Sequence, residues 1–146
     1  MRGTILRVYE YPFKFTSAEK GGWVITCRDL PEAISQAEAA EDRAEVASGC
    51  LQAALEGRIR HDMELPQPSK PKARELLIAP PAGTAAKAAL YVAMREAGVT
   101  KMELARRLGV DEKEVRRMLD PGRGSKLARL AEAIEVLGRH LRIALA

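Results

Sequence analysis

The stretch "LPQPSKPKARELLIAPPAG", residues 65–83, limits the possible folds of this chain more than any other segment. It holds five of the eight prolines. Proline has no backbone donor and biases the residue before it toward extended backbone, so a long helix or a central strand is not expected to cross this stretch. A break is therefore expected, with a front domain over 1–79, a linker over 80–83 and a back domain over 84–146. Within the stretch, "ELLIA" still has the length and apolar content of one strand that closes the front domain before "PPAG". At 146 residues the chain is one ordinary domain or two small ones, and either size can bury a core.

The hydrophobic period differs on the two sides of the break. In front, "TILRVYEYPFKF" and "GGWVITCRDL" read as two strands joined by the polar, glycine-containing "TSAEKGG", a hairpin pattern. "EAISQAE" is a third strand. From Glu41 to Arg60, Ala47, Cys50, Leu51, Ala54 and Leu55 recur at helical spacing, as in a helix lying on a sheet. Behind the break the pattern is helical throughout. Thr84 opens a helix with Ala86, Leu90, Ala93 and Ala97 on one side, and Gly98 ends it. Thr100 with Glu103 forms a capping box, and Asp111 with Glu114 is expected to do the same for the next helix. Ser125 starts a fourth helix, with Leu127, Leu130, Ala131, Ile134 and Leu137 inward and Gly138 as its stop. The tail "RHLRIALA" places Leu141, Ile143 and Leu145 on one face of a short strand. The fold class expected is α+β, a βββαβ front followed by helices.

Charge divides the same way. Residues 1–69 carry eight lysines and arginines against eleven aspartates and glutamates, a net −3. Residues 70–146 carry sixteen against nine, a net +7. Two partners of opposite charge are implied. A chain that is 47% hydrophobic and 30% charged is neither disordered nor membrane-spanning in composition, and no apolar run approaches the roughly 18 residues of a spanning helix. The first fifteen residues lack the apolar region of a secretory leader, so a cytoplasmic location is expected. Cys27 and Cys50 lack metal or redox spacing and read as free thiols.

The segment from Thr100 to Leu119 carries the chemistry. A helix-turn-helix needs a small residue where its helices cross, a glycine in the turn and apolar residues beneath, and Ala105, Gly109, Val110 and Val115 stand at the matching spacings. Leu104, Leu108, Met118 and Leu119 supply the core. The second helix then presents Glu112, Lys113, Glu114, Arg116 and Arg117 to double-stranded DNA. Arg116 and Arg117 can reach base edges or phosphates, and Glu112 can accept from a cytosine amine. Lys101, Arg123 and Lys126 are better placed for phosphates. One such motif covers half an operator, so a dimer or larger homo-oligomer is expected, with Leu137, Leu141, Ile143 and Leu145 as dimerisation residues. No catalytic constellation stands out. His61 and His140 fall in different domains, and nothing in the spacing of Glu10, Asp29 and Glu41 demands a metal. No cofactor and no enzymatic activity are expected.

The order of these motifs resembles the HicB family of antitoxins. That family has Asp-Leu-Pro-Gly followed by Thr-Gln-Gly-Asp, and Asp29, Leu30, Pro31 and Gln36 match it. Glu41 and Asp42 match its acidic helix start, and Pro66, Pro68 and Ser69 its exit. Glu32 and Ala37 stand where the family favours glycine, and Ala39 where a threonine would cap the helix. The resemblance implies an inactive, ribonuclease H-like front domain that binds and neutralises a HicA-type, RNA-cleaving toxin in a type II toxin–antitoxin system. It implies a back domain of Cro/repressor type that represses the operon. An acidic domain suits a basic RNA-binding toxin and a basic one suits DNA. Trp23, Asp29 and Glu32, near the strand ends, are the expected toxin contacts. The alternatives are a stand-alone transcriptional regulator with a ligand-sensing front domain, and a nuclease with an appended DNA-binding domain.

Overall fold

In the computed structural model, which describes residues 7–146, the alternation in the front of the chain becomes a four-stranded antiparallel sheet. β1 (Tyr11–Ser17), β2 (Trp23–Cys27), β3 (Ile34–Ala37) and β4 (Glu75–Ile78) stand in the order β3-β2-β1-β4. The first strand was expected from Thr4. Residues 4–6 lie outside the described part, and β1 begins at Tyr11, after non-regular backbone over 7–10. The register sets Phe13 opposite Cys27, Phe15 opposite Ile25 and Ser17 opposite Trp23, so these residues share one face. Phe13, Ile25 and Cys27 are buried on it. The hairpin turn closes tightly at Gly22, where φ is +80° and an added Cβ would stand 2.8 Å from the Ala37 carbonyl oxygen. No side chain fits there.

The helix α1 (Arg43–Arg60) follows a short 3-10 turn, Ala40–Asp42, so the expected start at Glu41 is a tighter turn instead. Ala39 offers no side-chain cap. The Arg43 guanidinium lies 4.3 Å from the Trp23 ring centre and 5.5 Å from that of Phe15. This puts α1 on the face that carries Phe13 and Ile25. Its stripe of Ala47, Leu51, Ala54 and Leu55 is buried there, as the helical spacing requires.

The chain forms two compact units. The first runs up to Gly57 and includes Pro66–Pro81; the second consists of Arg58–Leu65 with Ala82–Ala146. Within the first, the proline-rich stretch is held by side chains. Asp29 accepts from the Ser69 amide at 2.8 Å and from its hydroxyl at 2.6 Å. Arg28 donates from Nε to both Glu75 oxygens, at 3.1 and 2.9 Å, and from Nη2 to the Lys70 carbonyl at 2.5 Å. The Tyr11 hydroxyl donates to the Pro66 carbonyl at 2.6 Å, and burial pushes that phenol well above its ordinary range.

The second unit holds α2 (Ala82–Ala97), α3 (Lys101–Leu108), α4 (Glu112–Leu119) and α5 (Leu127–Val136). Here α2 packs on α4 and α5, and α3 on α4 and α5. With neighbours on several sides, α2 buries Ala88, Tyr91, Val92 and Met94 besides the expected Ala86, Leu90 and Ala93, while Ala97 is exposed. It begins at Ala82, so Thr84 lies inside its first turn and not at the cap. Two other expected caps also differ. Asp111 makes no side-chain cap bond because Glu114, its expected reciprocal partner, is paired with Arg129 at 3.2 Å. The α5 cap is Lys126, not Ser125, and it too lacks a side-chain bond. The expected C-terminal strand does not form over residues 139–146. A strand needs a hydrogen-bonded neighbour, and the second unit of a single chain contains no strand among its described residues.

Because Asp29 supplies partners for both the amide and the hydroxyl of Ser69, Asp29→Ala is expected to lower stability by about 1–3 kcal/mol. Urea unfolding of the two proteins, followed by circular dichroism, measures it.

Candidate functional site

The tight helix pair α3–α4 is built from its punctuation. Thr100 has extended backbone, and its hydroxyl accepts from the Glu103 amide at 3.1 Å, closing the start of α3. At the other end Gly109 takes φ +67°, a left-handed conformation. The Val110 amide then reaches back to the Ala105 carbonyl at 3.0 Å, so the chain turns at once into α4. Leu104, Ala105, Val115, Met118 and Leu119 are buried beneath. That burial leaves Lys113, Arg116 and Arg117 exposed along the outer side of α4, with Glu112 and Glu114 half-buried beside them.

These charges are not equivalent. Arg116 donates to Glu112 at 2.8 Å, and Glu114 is held by Arg129. Among the described residues no carboxylate pairs with Lys113, Arg117, Lys101 or Lys126. Lys101 is half-buried in the first turn of α3, while Arg123 and Lys126 are exposed after α4. Arg123 lies 3.6 Å from Asp120. Free cations beside paired ones make an outer surface that can bind an anion without breaking every internal pair.

Sequence reasoning missed what holds α4 in place. Lys87 of α2 is 7% exposed, and its ammonium donates to the carbonyls of Arg117 at 3.2 Å and Asp120 at 2.6 Å. These carbonyls end α4, where a helix has orphan acceptors and a partial negative charge. The Asp120 carboxylate in turn accepts from the Gly122 amide at 2.9 Å. A lysine in the middle of an apolar helix face was the only signal, and its partner lies thirty residues away.

In the first unit the three expected toxin contacts stand apart in character. Trp23 is half-buried beneath Arg43, Glu32 is exposed, and the Asp29 carboxylate is only 10% exposed and engaged with Ser69. An open cavity of about 460 Å³, lined by Lys14, Arg28, Ile34, Lys72, Arg74 and Glu75 among others, was not foreseen. Cys27 is buried and Cys50 half-buried, both free, and burial raises both thiols. His61 and His140 are exposed. Among the described residues, no three His, Cys, Asp or Glu side chains gather to hold a metal, and no helix is long and apolar enough to cross a membrane. Of the expected dimerisation residues, Leu137 and Leu141 are half-buried, and Ile143 and Leu145 are exposed.

A family model described as HicB_like antitoxin of bacterial toxin-antitoxin system matches residues 10–89. Antitoxin HicB of Escherichia coli strain K12 is 29% identical over 133 residues, which is 91% of this chain and 96% of that protein. Antitoxin HicB 2 of Photorhabdus laumondii is 32% identical over 133 residues, covering 91% and 94%. Antitoxin HicB of Pseudomonas fluorescens is 30% identical over 142 residues, covering 97% and 95%.

Glu103 carries the strongest carboxylate perturbation on the helix pair. Hydrogen bonds from Arg106 at 2.6 Å and Arg107 at 3.1 Å lower its pKa to about 2. A lowered folded-state value means that these pairs stabilise the fold fully above the ordinary carboxylate range, and that the contribution is lost as pH falls toward 2. Glu103→Gln is therefore expected to melt below the native protein at pH 6. The gap should close on acidification toward pH 2, as read by thermal denaturation.

Proposed function

Because the chain belongs to the HicB-like antitoxin family of bacterial toxin–antitoxin systems, we propose that its first unit neutralises a HicA-type, RNA-cleaving toxin while its helical unit represses the operon by binding operator DNA. The outward cationic face of α4 carries the DNA half of this reading. With α3 beneath it, crossing at Ala105 and turning at Gly109, α4 acts as the recognition helix of a Cro/repressor-type helix-turn-helix. Lys113 and Arg117 have no internal carboxylate to leave and contact the DNA directly. Arg116 exchanges its Glu112 partner for a base edge or phosphate, which frees Glu112 to accept from a cytosine amine. Glu114 stays with Arg129 and orients the helix. Lys101, Arg123 and Lys126 bind phosphates and set the register. One such unit covers half an operator, so two copies act together.

The toxin half rests on the βββαβ order, read as a ribonuclease H-like scaffold that binds and does no chemistry. Covering an RNA-binding surface takes a complementary acidic one, and the front of the chain has a net −3. Glu32 and Trp23 touch the toxin. Asp29 serves them indirectly, by fixing the turn against Ser69. Functionally the two parts divide across residues 80–83.

Arg117→Ala is expected to weaken operator binding by about 1–3 kcal/mol if Arg117 holds one guanine with two hydrogen bonds. Lys126→Ala should weaken all sequences alike and reduce the salt dependence by one phosphate's worth. Gel-shift titrations over a salt series measure both. For the toxin half, the full chain should co-purify with the product of the adjacent short open reading frame and abolish its RNA cleavage. A chain that leaves cleavage intact contradicts the reading.

A further inference from the structure

The tail 139–146 is extended, apolar on alternate residues and without a strand partner. Gly138, at φ +82°, stops α5, and the Arg139 amide makes the last backbone bond, to the Ile134 carbonyl at 3.3 Å. Arg139 also pairs with Glu96 of α2, which fixes where the tail leaves the helices. Beyond that point no backbone hydrogen bond forms among the described residues. Ile143 is 78% exposed and Leu145 fully so. Each unmet amide and carbonyl there can join a ladder with another strand.

The sequence selects which strand. In an antiparallel pair of two identical tails, residues directly opposite share a face, so the register decides what meets what. Centring the two-fold axis on Ile143 sets Ile143 opposite its own copy and Leu141 opposite Leu145, with Arg142 opposite Ala144. All six large apolar side chains then lie on one face, and no arginine faces an arginine. Centring on Arg142 sets two guanidinium groups opposite each other, which destabilises. Centring on Ala144 leaves Leu141 with no residue opposite. A shift that changes parity sends the apolar residues of the two tails to opposite faces. We propose that two copies of this chain associate through their tails, as a two-stranded antiparallel ribbon centred on Ile143. The interface is isologous, as a two-fold requires. A bare two-stranded ribbon is marginal in water, so its apolar face closes over the half-buried Val136 and Leu137 at the ends of both α5 helices. The ribbon deepens the two-copy reading of operator binding above and rests on it.

Cross-linking tests the register. In the full chain with Cys50→Ser, Ile143→Cys brings two thiols together across the axis, and mild oxidation should convert it to a covalent dimer. Arg142→Cys and Ala144→Cys should cross-link far less, and the parent, whose Cys27 is 3% exposed, should stay uncross-linked. Sedimentation of the full chain should give a dimer that the double substitution Ile143→Asp, Leu145→Asp turns into a monomer without unfolding it. A native chain that sediments as a monomer overturns the two-copy reading and the ribbon together. A dimer that survives the double substitution and fails to cross-link at 143 overturns the ribbon alone. Preferential cross-linking at 142 or 144 overturns the register.

Discussion

The first unit depends on satisfying a segment that cannot satisfy itself. Between Leu65 and Glu75 the chain has three prolines and no regular structure, yet it must deliver β4 to the edge of β1. Backbone groups in such a stretch need partners from outside it. Asp29 supplies one for the Ser69 amide, Arg28 for the Lys70 carbonyl and Tyr11 for that of Pro66. Arg28 and Asp29 lie side by side after β2, so the same turn that ends the hairpin also clamps the exit. The "DLP" and "PQPS" segments are thus two halves of one contact.

In the second unit the corresponding interaction is the buried Lys87. Its ammonium replaces water at the C-terminal carbonyls of α4 and fixes the turn that follows, from which Arg123 and Lys126 project. Removing a cation from water costs free energy unless it gains partners, and here the carbonyls also gain a charge opposite to the helix end. The position of the outward arginines is therefore set from α2 as much as from the turn at Gly109.

Local signals were readable and reciprocal ones were not. Gly109, Thr100 and Gly138 act through backbone conformation or a neighbour three residues on, and all three stand where the sequence implied. The βββαβ order followed from period and punctuation. The failures share one cause, a partner distant in sequence. Asp111 read as a capping residue because nothing in the local pattern shows that Glu114 is taken by Arg129. Asp29 read as a free carboxylate because Ser69 lies forty residues on. The tail read as a strand from alternation alone, although alternation specifies a face and not a neighbour to pair with.

The central claim is that one chain divides toxin capture and operator binding between two separately built units. The double variant Lys113→Ala, Arg117→Ala changes only exposed cations of α4. Measured side by side, operon repression and rescue of growth from the co-expressed toxin test the division directly. The account predicts that repression is lost while rescue stays at the native level. Loss of rescue together with repression, in a variant that folds normally, would contradict it.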